Sequence, residues 1–219
     1  MVSNPRLYTY AGNKDGLKAM ITAEYAGVML DIPPFRMGVD NTSKDFFEMS
    51  PRGALPVLET ATQPPAFISE PNAIARYIAR LGSCLYGETC VQEAQVESWI
   101  DVTTAKLDAP LMSALLPLLG VGDRCEAKEK KAMEAVASAM RTLDAHLETH
   151  TFLVGESITL ADVVAVCNMH LGFKLLFDGA YRKEFRNVTR YFRTCVQQPF
   201  FKKVLGDKYA MCTTKLGSA

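Results

Sequence analysis

The six cysteines, at positions 84, 90, 125, 167, 195 and 212, include no Cys-x-x-Cys pair, and the only histidines are His146, His150 and His170. Structural zinc sites draw four ligands from closely spaced cysteines and histidines, so no metal centre is expected. Net charge is also lacking, since 24 Lys and Arg balance 24 Asp and Glu. No global field therefore draws the chain to nucleic acid or to an acidic surface, and a charged partner must be met by a local patch. There is no internal repeat, low-complexity tract or long linker. The longest apolar stretch, residues 109–122, is interrupted by Ser113 and two prolines and is too short to span a bilayer. The opening residues M-V-S-N-P-R-L-Y-T-Y have neither the apolar core of a secretory signal nor the pattern of a transit sequence. A soluble, cytoplasmic protein with reduced thiols and no membrane segment is the expectation.

What remains is ordinary globular composition, 48% apolar and 22% charged over 219 residues, enough for one large domain or two small ones. Residues 7–10, L-Y-T-Y, read as a short strand. Leu17, Ile21 and Tyr25 then recur at helical spacing, and residues 28–32 form a second apolar run ended by Pro33 and Pro34, which predicts a βαβ unit. Residues 54–58 and 66–69, separated by the turn-rich T-A-T-Q-P-P, predict a hairpin. Ala73, Ile74, Tyr77, Ile78 and Leu81 predict a helix with Pro71 at its first position. The order βαβ then ββα is that of a thioredoxin-like domain, placed at residues 1–82.

From Gly82 to Thr89 the pattern is aperiodic, and every strong signal thereafter is helical, which predicts an all-α domain at residues 90–219. Residues 93–119 read as a long helix bent at Pro110. Met133, Val136, Met140, Leu143 and Leu147 mark a second helix with one core-facing side. The mixed charge run at residues 123–131 is solvation, with Glu126 and Lys130 spaced for an ion pair. Cys167 and Cys195 fall in helical patterns as buried thiols, whereas Cys84 and Cys90 lie in the looser stretch. Trp99 is expected between helices.

Residues 151–167, T-F-L-V-G-E-S-I-T-L-A-D-V-V-A-V-C, specify a helix start in detail. Thr159 can cap the N–H of Asp162, and the Asp162 carboxylate can reach back to the N–H of Thr159. Ile158 and Val163 occupy the positions of a hydrophobic staple around that box. The following helix is apolar nearly all round, as a helix buried in a helical core must be.

The string F-L-x-G-E-x-I-T-L-A-D resembles the helix-6 signature of the glutathione transferase superfamily. The blocks E-P-N-A-I-A-R-Y-I at 70–78 and N-V-T-R-Y-F-R-T-C-V-Q-Q-P-F-F-K-K-V-L-G at 187–206 resemble, within it, the elongation factor 1 gamma branch. The resemblance covers essentially the whole chain. It implies an α+β, glutathione-transferase-like fold and a noncatalytic scaffold of the elongation factor 1B complex. Its partner would be the guanine-nucleotide-exchange subunit that reloads elongation factor 1A, and a homodimer is a further option that the resemblance carries. Members of that branch continue into a linker and a second globular domain. The alternative is an active S-transferase using glutathione or a related thiol.

Thiol transfer needs a donor near the end of the first strand to favour the thiolate, the nucleophilic form. The candidates are Tyr8, Tyr10 and Asn13, the last aligned with the serine of the Ser-using transferases. Tyr8 and Tyr10 share one face of an alternating strand, so a core role competes with catalysis. Leu55-Pro56 matches the family's cis-proline segment, whose backbone pairs with the cysteinyl part of glutathione. Where relatives carry Glu-Ser to hold the γ-glutamyl end, this chain has Glu70-Pro71, and Ala54 replaces a lysine that meets the glycyl end. Proline removes a hydroxyl and an N–H, although it is also simply a good first helical residue. The resemblance therefore implies no cofactor, with glutathione at most a weak ligand.

Arg182, Arg186, Arg190 and Arg193 step by helical intervals, with Lys183, Tyr191 and Phe192 among them. A solvated face is the plain reading; contact with tRNA or an aminoacyl-tRNA synthetase is the other.

Overall fold

The structure is a computed structural model and describes residues 4–217. The chain divides after Tyr86 into two compact units.

In the first unit, β1 (Arg6–Tyr8), β2 (Val57–Glu59) and β3 (Phe67–Ser69) form an antiparallel sheet in that order. Leu7 lies opposite Leu58, and Leu58 opposite Ile68. Alternation turns Leu7 inward and leaves Arg6 exposed. Leu7 and Leu58 join Ala19 and Ala23 of α1 (Lys14–Ala26) and Ile74 and Ile78 of α3 (Pro71–Leu81) in one buried cluster. Each large aliphatic side chain buried there contributes about 1.5–3 kcal/mol relative to exposure. The C-terminus of α1 closes on Gly27, whose left-handed φ of 67° lets its N–H reach Ala23 O. Between α1 and β2 lies the short α2 (Lys44–Met49), capped by the Ser43 hydroxyl, which accepts from Phe46 N–H.

Two sequence expectations need correction here. The strand expected at residues 28–32 contracts to one parallel bridge, Arg6 opposite Asp31, made by Leu7 N–H to Asp31 O at 2.8 Å and Asp31 N–H to Pro5 O at 2.9 Å. Pro33 and Pro34 offer no N–H beyond it, so no ladder extends the run; Val28 and Leu30 pack against the core cluster while Met29 between them is 72% exposed. The hairpin strands also start later than expected, because Pro56 cannot donate to a ladder and pairing begins at Val57.

The second unit is helical: α4 (Cys90–Val102), α5 (Ala109–Leu118), α6 (Glu126–Leu147), α7 (Leu160–Leu175), α8 (Gly179–Glu184), α9 (Arg186–Val196) and α10 (Pro199–Leu205). The bend expected at Pro110 is taken up one turn earlier, by a π-helical stretch at Thr103–Asp108 that packs against α7. Proline lacks an N–H and crowds the carbonyl four residues back, here Lys106, so the ladder widens ahead of it instead of breaking at it. On α6 the core side is Val136, Met140, Leu143 and Leu147, with Met133 half-buried. In the charged run before and along the start of α6, Arg124 pairs with Glu129 at 3.4 Å.

At the centre lies α7, with residues 160–170 all buried. Thr159 and Asp162 form a capping box. Its carboxylate side is tight, Thr159 N–H donating to Asp162 Oδ2 at 2.8 Å and the Thr159 hydroxyl at 2.9 Å. Ile158 and Val163, the staple pair, are both buried. The single arginine face expected over residues 182–193 is divided between α8 and α9 at Phe185, which has φ −114° and ψ 69° and is 1% exposed. Burying Phe185 breaks the helix, and Asp144 of α6 restores the loss by accepting from Val188 N–H at 2.9 Å in the first turn of α9. Tyr191 and Phe192 are fully buried core residues, Phe192 stacking on Phe173 at 3.9 Å. Beyond α10 the chain returns to α7, Cys212 N–H meeting Phe173 O at 2.9 Å and Leu216 N–H meeting Leu175 O at 2.8 Å. Among the described residues no helix is long and apolar enough to cross a membrane.

Candidate functional site

One end of the small sheet gathers the candidate residues of the first unit. Tyr8 pairs with Val57 and Val57 with Ser69, so the row Tyr8–Val57–Ser69 marks that end. Leu55-Pro56 leads into it, Glu70-Pro71 leads out of it, and Asn13 opens the helix that follows β1.

Tyr8 donates its hydroxyl to Glu59 Oε2 at 2.8 Å and stands edge-on to Phe35 and Phe46. Burial, with Glu59 beside it, raises the pKa of the phenol. Arg6 holds Asp31 at 2.9 Å and Glu59 at 3.6 Å, which fixes the carboxylate that Tyr8 meets. Tyr10 lies beyond the end of β1 and is 40% exposed.

Asn13 is the N-cap of α1, its Oδ1 accepting from Asp15 N–H at 3.1 Å and its Nδ2 donating to Thr9 Oγ1 at 3.3 Å. Both ends of the amide are thereby engaged within the protein. Just behind it, Lys18 and Lys14 converge on Asp15 Oδ1 at 2.9 and 3.1 Å. Burial alone would raise the Asp15 carboxyl, but the two ammonium groups outweigh it and hold the pKa below its ordinary value.

The Leu55–Pro56 peptide is cis. Upstream, the Ser50 hydroxyl donates to Ala54 O at 3.0 Å and ties down the approach to it. Glu70 has φ 73°, the one non-glycine residue with positive φ among the described residues, a conformation that costs on the order of 1–3 kcal/mol. Its carboxylate is ion-paired with Arg52, both side chains largely exposed. Pro71 then takes the first position of α3, and Ile74 N–H bonds to Glu70 O at 3.0 Å. The sequence reading missed Glu59, Thr9 and Arg52 as the partners of Tyr8, Asn13 and Glu70. For Glu59 a signal existed: in antiparallel register with β1 it falls on the same face as Tyr8.

Away from this end, the Cys167 and Cys195 thiols are buried, and burial pushes the Cys195 pKa well above the ordinary range, so it is no nucleophile. Among the described residues no group of three or more His, Cys, Asp or Glu could hold a metal ion.

Residues 3–80 match the family described as glutathione S-transferase, N-terminal domain, and residues 106–199 match glutathione S-transferase, C-terminal domain. The chain belongs to the glutathione S-transferase family. Among curated proteins it is 44% identical over 204 residues to probable elongation factor 1-gamma 1 of Arabidopsis thaliana, covering 92% of this chain and 49% of that protein. It is 42% identical to elongation factor 1-gamma 2 of Oryza sativa subsp. japonica, covering 92% and 48%. With elongation factor 1-gamma-A of Xenopus laevis the identity is 36%, covering 92% and 46%. The chain thus spans about half the length of the curated relatives it matches. Its fold is that of the GST-like domain of elongation factor 1-gamma from Saccharomyces cerevisiae (TM-score 0.83, 21% identity, 98% of both chains). Poplar glutathione transferase F1 shares it at a TM-score of 0.82, with 21% identity over 93% of this chain and 97% of that one.

Proposed function

We propose that this glutathione transferase family chain is a noncatalytic docking domain of the elongation factor 1B complex, acting in translation elongation in the cytoplasm. Its partner on this reading is the guanine-nucleotide-exchange subunit, and through it elongation factor 1A. The observation that carries the reading is the 36% to 44% identity to elongation factor 1-gamma proteins over 92% of the chain.

The chemistry of the sheet end supports it. The Tyr8 proton is given to Glu59, and a phenol whose pKa is raised is a weaker donor to a thiolate than an ordinary one. The Asn13 amide is committed to its cap and to Thr9. At α3, Pro71 removes the hydroxyl and N–H that the resemblance calls for at a γ-glutamyl carboxylate, and Arg52 already occupies the Glu70 carboxylate. Losing a charge-assisted hydrogen bond costs about 1.5–3 kcal/mol.

A second reading, thiol S-transfer, is favoured by one observation, the positive φ of Glu70. Strain of this kind persists where the surroundings over-determine it and is concentrated at ligand clamps. Calorimetric titration with glutathione, run beside a conjugation assay with a chromogenic electrophile, separates the two. Binding no tighter than millimolar without turnover, together with capture of the exchange subunit by the immobilised chain, is the expected result. Micromolar binding with turnover makes the chain a transferase and removes the noncatalytic reading, and failure to capture the exchange subunit removes the docking reading.

A further inference from the structure

The geometry points to a binding site for clustered phosphate groups in the second unit, at the turn between α8 and α9. A pocket of about 400 Å³ there is lined by Arg182, Lys183, Arg186, Arg190 and Arg193, with Gly179 and Thr189 and no carboxylate. None of these five cations is ion-paired to a carboxylate of the described residues. In a chain whose formal net charge is zero, five positive charges converging on one cavity are a local field of the kind that concentrates polyanions.

The arginines that hold the walls are fixed by neutral groups. Arg182 Nη1 donates to Phe177 O and to Cys212 O, each at 2.6 Å, so one guanidinium ties α8 to the returning C-terminal segment. Arg190 Nη2 donates to Leu147 O and, at 3.3 Å, to His150 O. Arg186 Nε donates to Lys183 O at 3.3 Å. Carbonyls orient a guanidinium without cancelling its charge, which leaves a preorganised positive cavity. Asp178 is engaged by Ala180 and Tyr181 N–H, and Asp144 by Val188 N–H and the Asn187 amide, while the exposed Glu184 does not line the pocket. The break at Phe185 produces the concavity, because one continuous helix would spread the same residues along a convex stripe.

Phosphate fits this site better than a nucleobase does. Tyr191 and Phe192, the aromatics interleaved with the arginines in sequence, are fully buried, so no stacking platform faces the pocket. Four of the five cations are arginines, whose planar fork matches paired phosphate oxygens. Free polyphosphate and the backbone of single-stranded RNA share this chemistry. The site is independent of the docking role, and of thiol chemistry at the sheet.

The test is calorimetric titration of the whole chain with inorganic tripolyphosphate and with a short oligouridylate, across a range of salt. Lys183→Glu/Arg193→Glu removes two exposed lining cations that make no side-chain hydrogen bond; Lys128→Glu/Lys131→Glu is the charge-matched control on exposed positions of α6 that do not line the pocket. Expected is binding that weakens with salt, reduced at least about tenfold in the pocket variant and within about twofold of the parent in the control. Tighter binding of the oligonucleotide than of tripolyphosphate, lost in the pocket variant, assigns the site to RNA backbone; binding of tripolyphosphate alone assigns it to a free polyphosphate. No binding of either at low salt, or equal loss in the control, overturns the proposal. So does displacement of tripolyphosphate by polyglutamate at equal charge, which would make the pocket a reader of acidic protein segments.

Discussion

Tyr191 donates its hydroxyl to Oδ1 of Asp162 at 2.9 Å, tying the middle of α9 to the first turn of α7. The same oxygen accepts from Leu153 N–H at 2.9 Å, while Oδ2 takes the two groups of Thr159. One carboxylate therefore fastens the loop before α7, the helix start and a second helix. Burial raises its pKa, and the four donors pull against that rise.

Asp162→Ala strips four buried donors of their acceptor and is expected to destabilise the helical unit by about 3–5 kcal/mol. Tyr191→Phe, which removes a single bond to that carboxylate, should lose about 1.5–3 kcal/mol. Urea unfolding followed by circular dichroism measures both. An Asp162→Ala protein as stable as its parent would mean that the hub is not a structural keystone.

Gly172 lies where α7 meets the ring of Phe177, and a Cβ built there would sit 2.4 Å from Phe177 Cε2. The ring is fully buried, and a close-packed interior offers few voids for it to move into. Gly172→Ala should gain helix propensity yet lose stability on balance, by about 1–3 kcal/mol of overpacking. A rise in the thermal midpoint would show that the ring can yield.

Much of this architecture is legible in the sequence, for identifiable reasons. The helices α3, α6 and α7 repeat their apolar residues over several turns, and the residues of the Thr159–Asp162 box lie three positions apart. Three-residue strands give almost no alternation to read, and the apolar run Val28 to Ile32 carries no sign that only Asp31 bridges to β1. The π-helical stretch and the break at Phe185 arise from tertiary demands, the crowding before Pro110 and the burial of a phenylalanine. At the sheet end the residues are visible as motifs, but their partners are not visible without the register, which alone points to Glu59. Glu59 is 51 positions from Tyr8, and Arg52 is 18 from Glu70.

The Asp15 cluster carries a pH signature. Its carboxyl titrates below the ordinary value of 3.8 in the folded protein because Lys18 and Lys14 outweigh burial. The unfolded chain therefore takes up the proton first, so the stabilisation is whole above 3.8 and is lost as pH falls through the lower folded-state value. Asp15→Asn should be less stable than the parent at neutral pH, with two ammonium groups left without that carboxylate. It should also lose less on acidification. Parallel stability curves for the two proteins over the acid range would contradict this.

Pro71→Ser tests what the first residue of α3 does to ligand binding. Serine restores an N–H and a hydroxyl at the helix terminus, where a carboxylate is favoured by both the donors and the helix dipole. It gives up only the preset φ of proline at that position, worth about 0.4–1 kcal/mol through the unfolded chain. Glutathione affinity should therefore rise about tenfold to a hundredfold, the equivalent of one charge-assisted hydrogen bond. Conjugation should rise far less, because Tyr8 stays bonded to Glu59 and Asn13 to its cap. Unchanged affinity in calorimetry would show that Pro71 is merely a good first helical residue, and that any weakness in binding lies instead with Arg52, which already holds the Glu70 carboxylate.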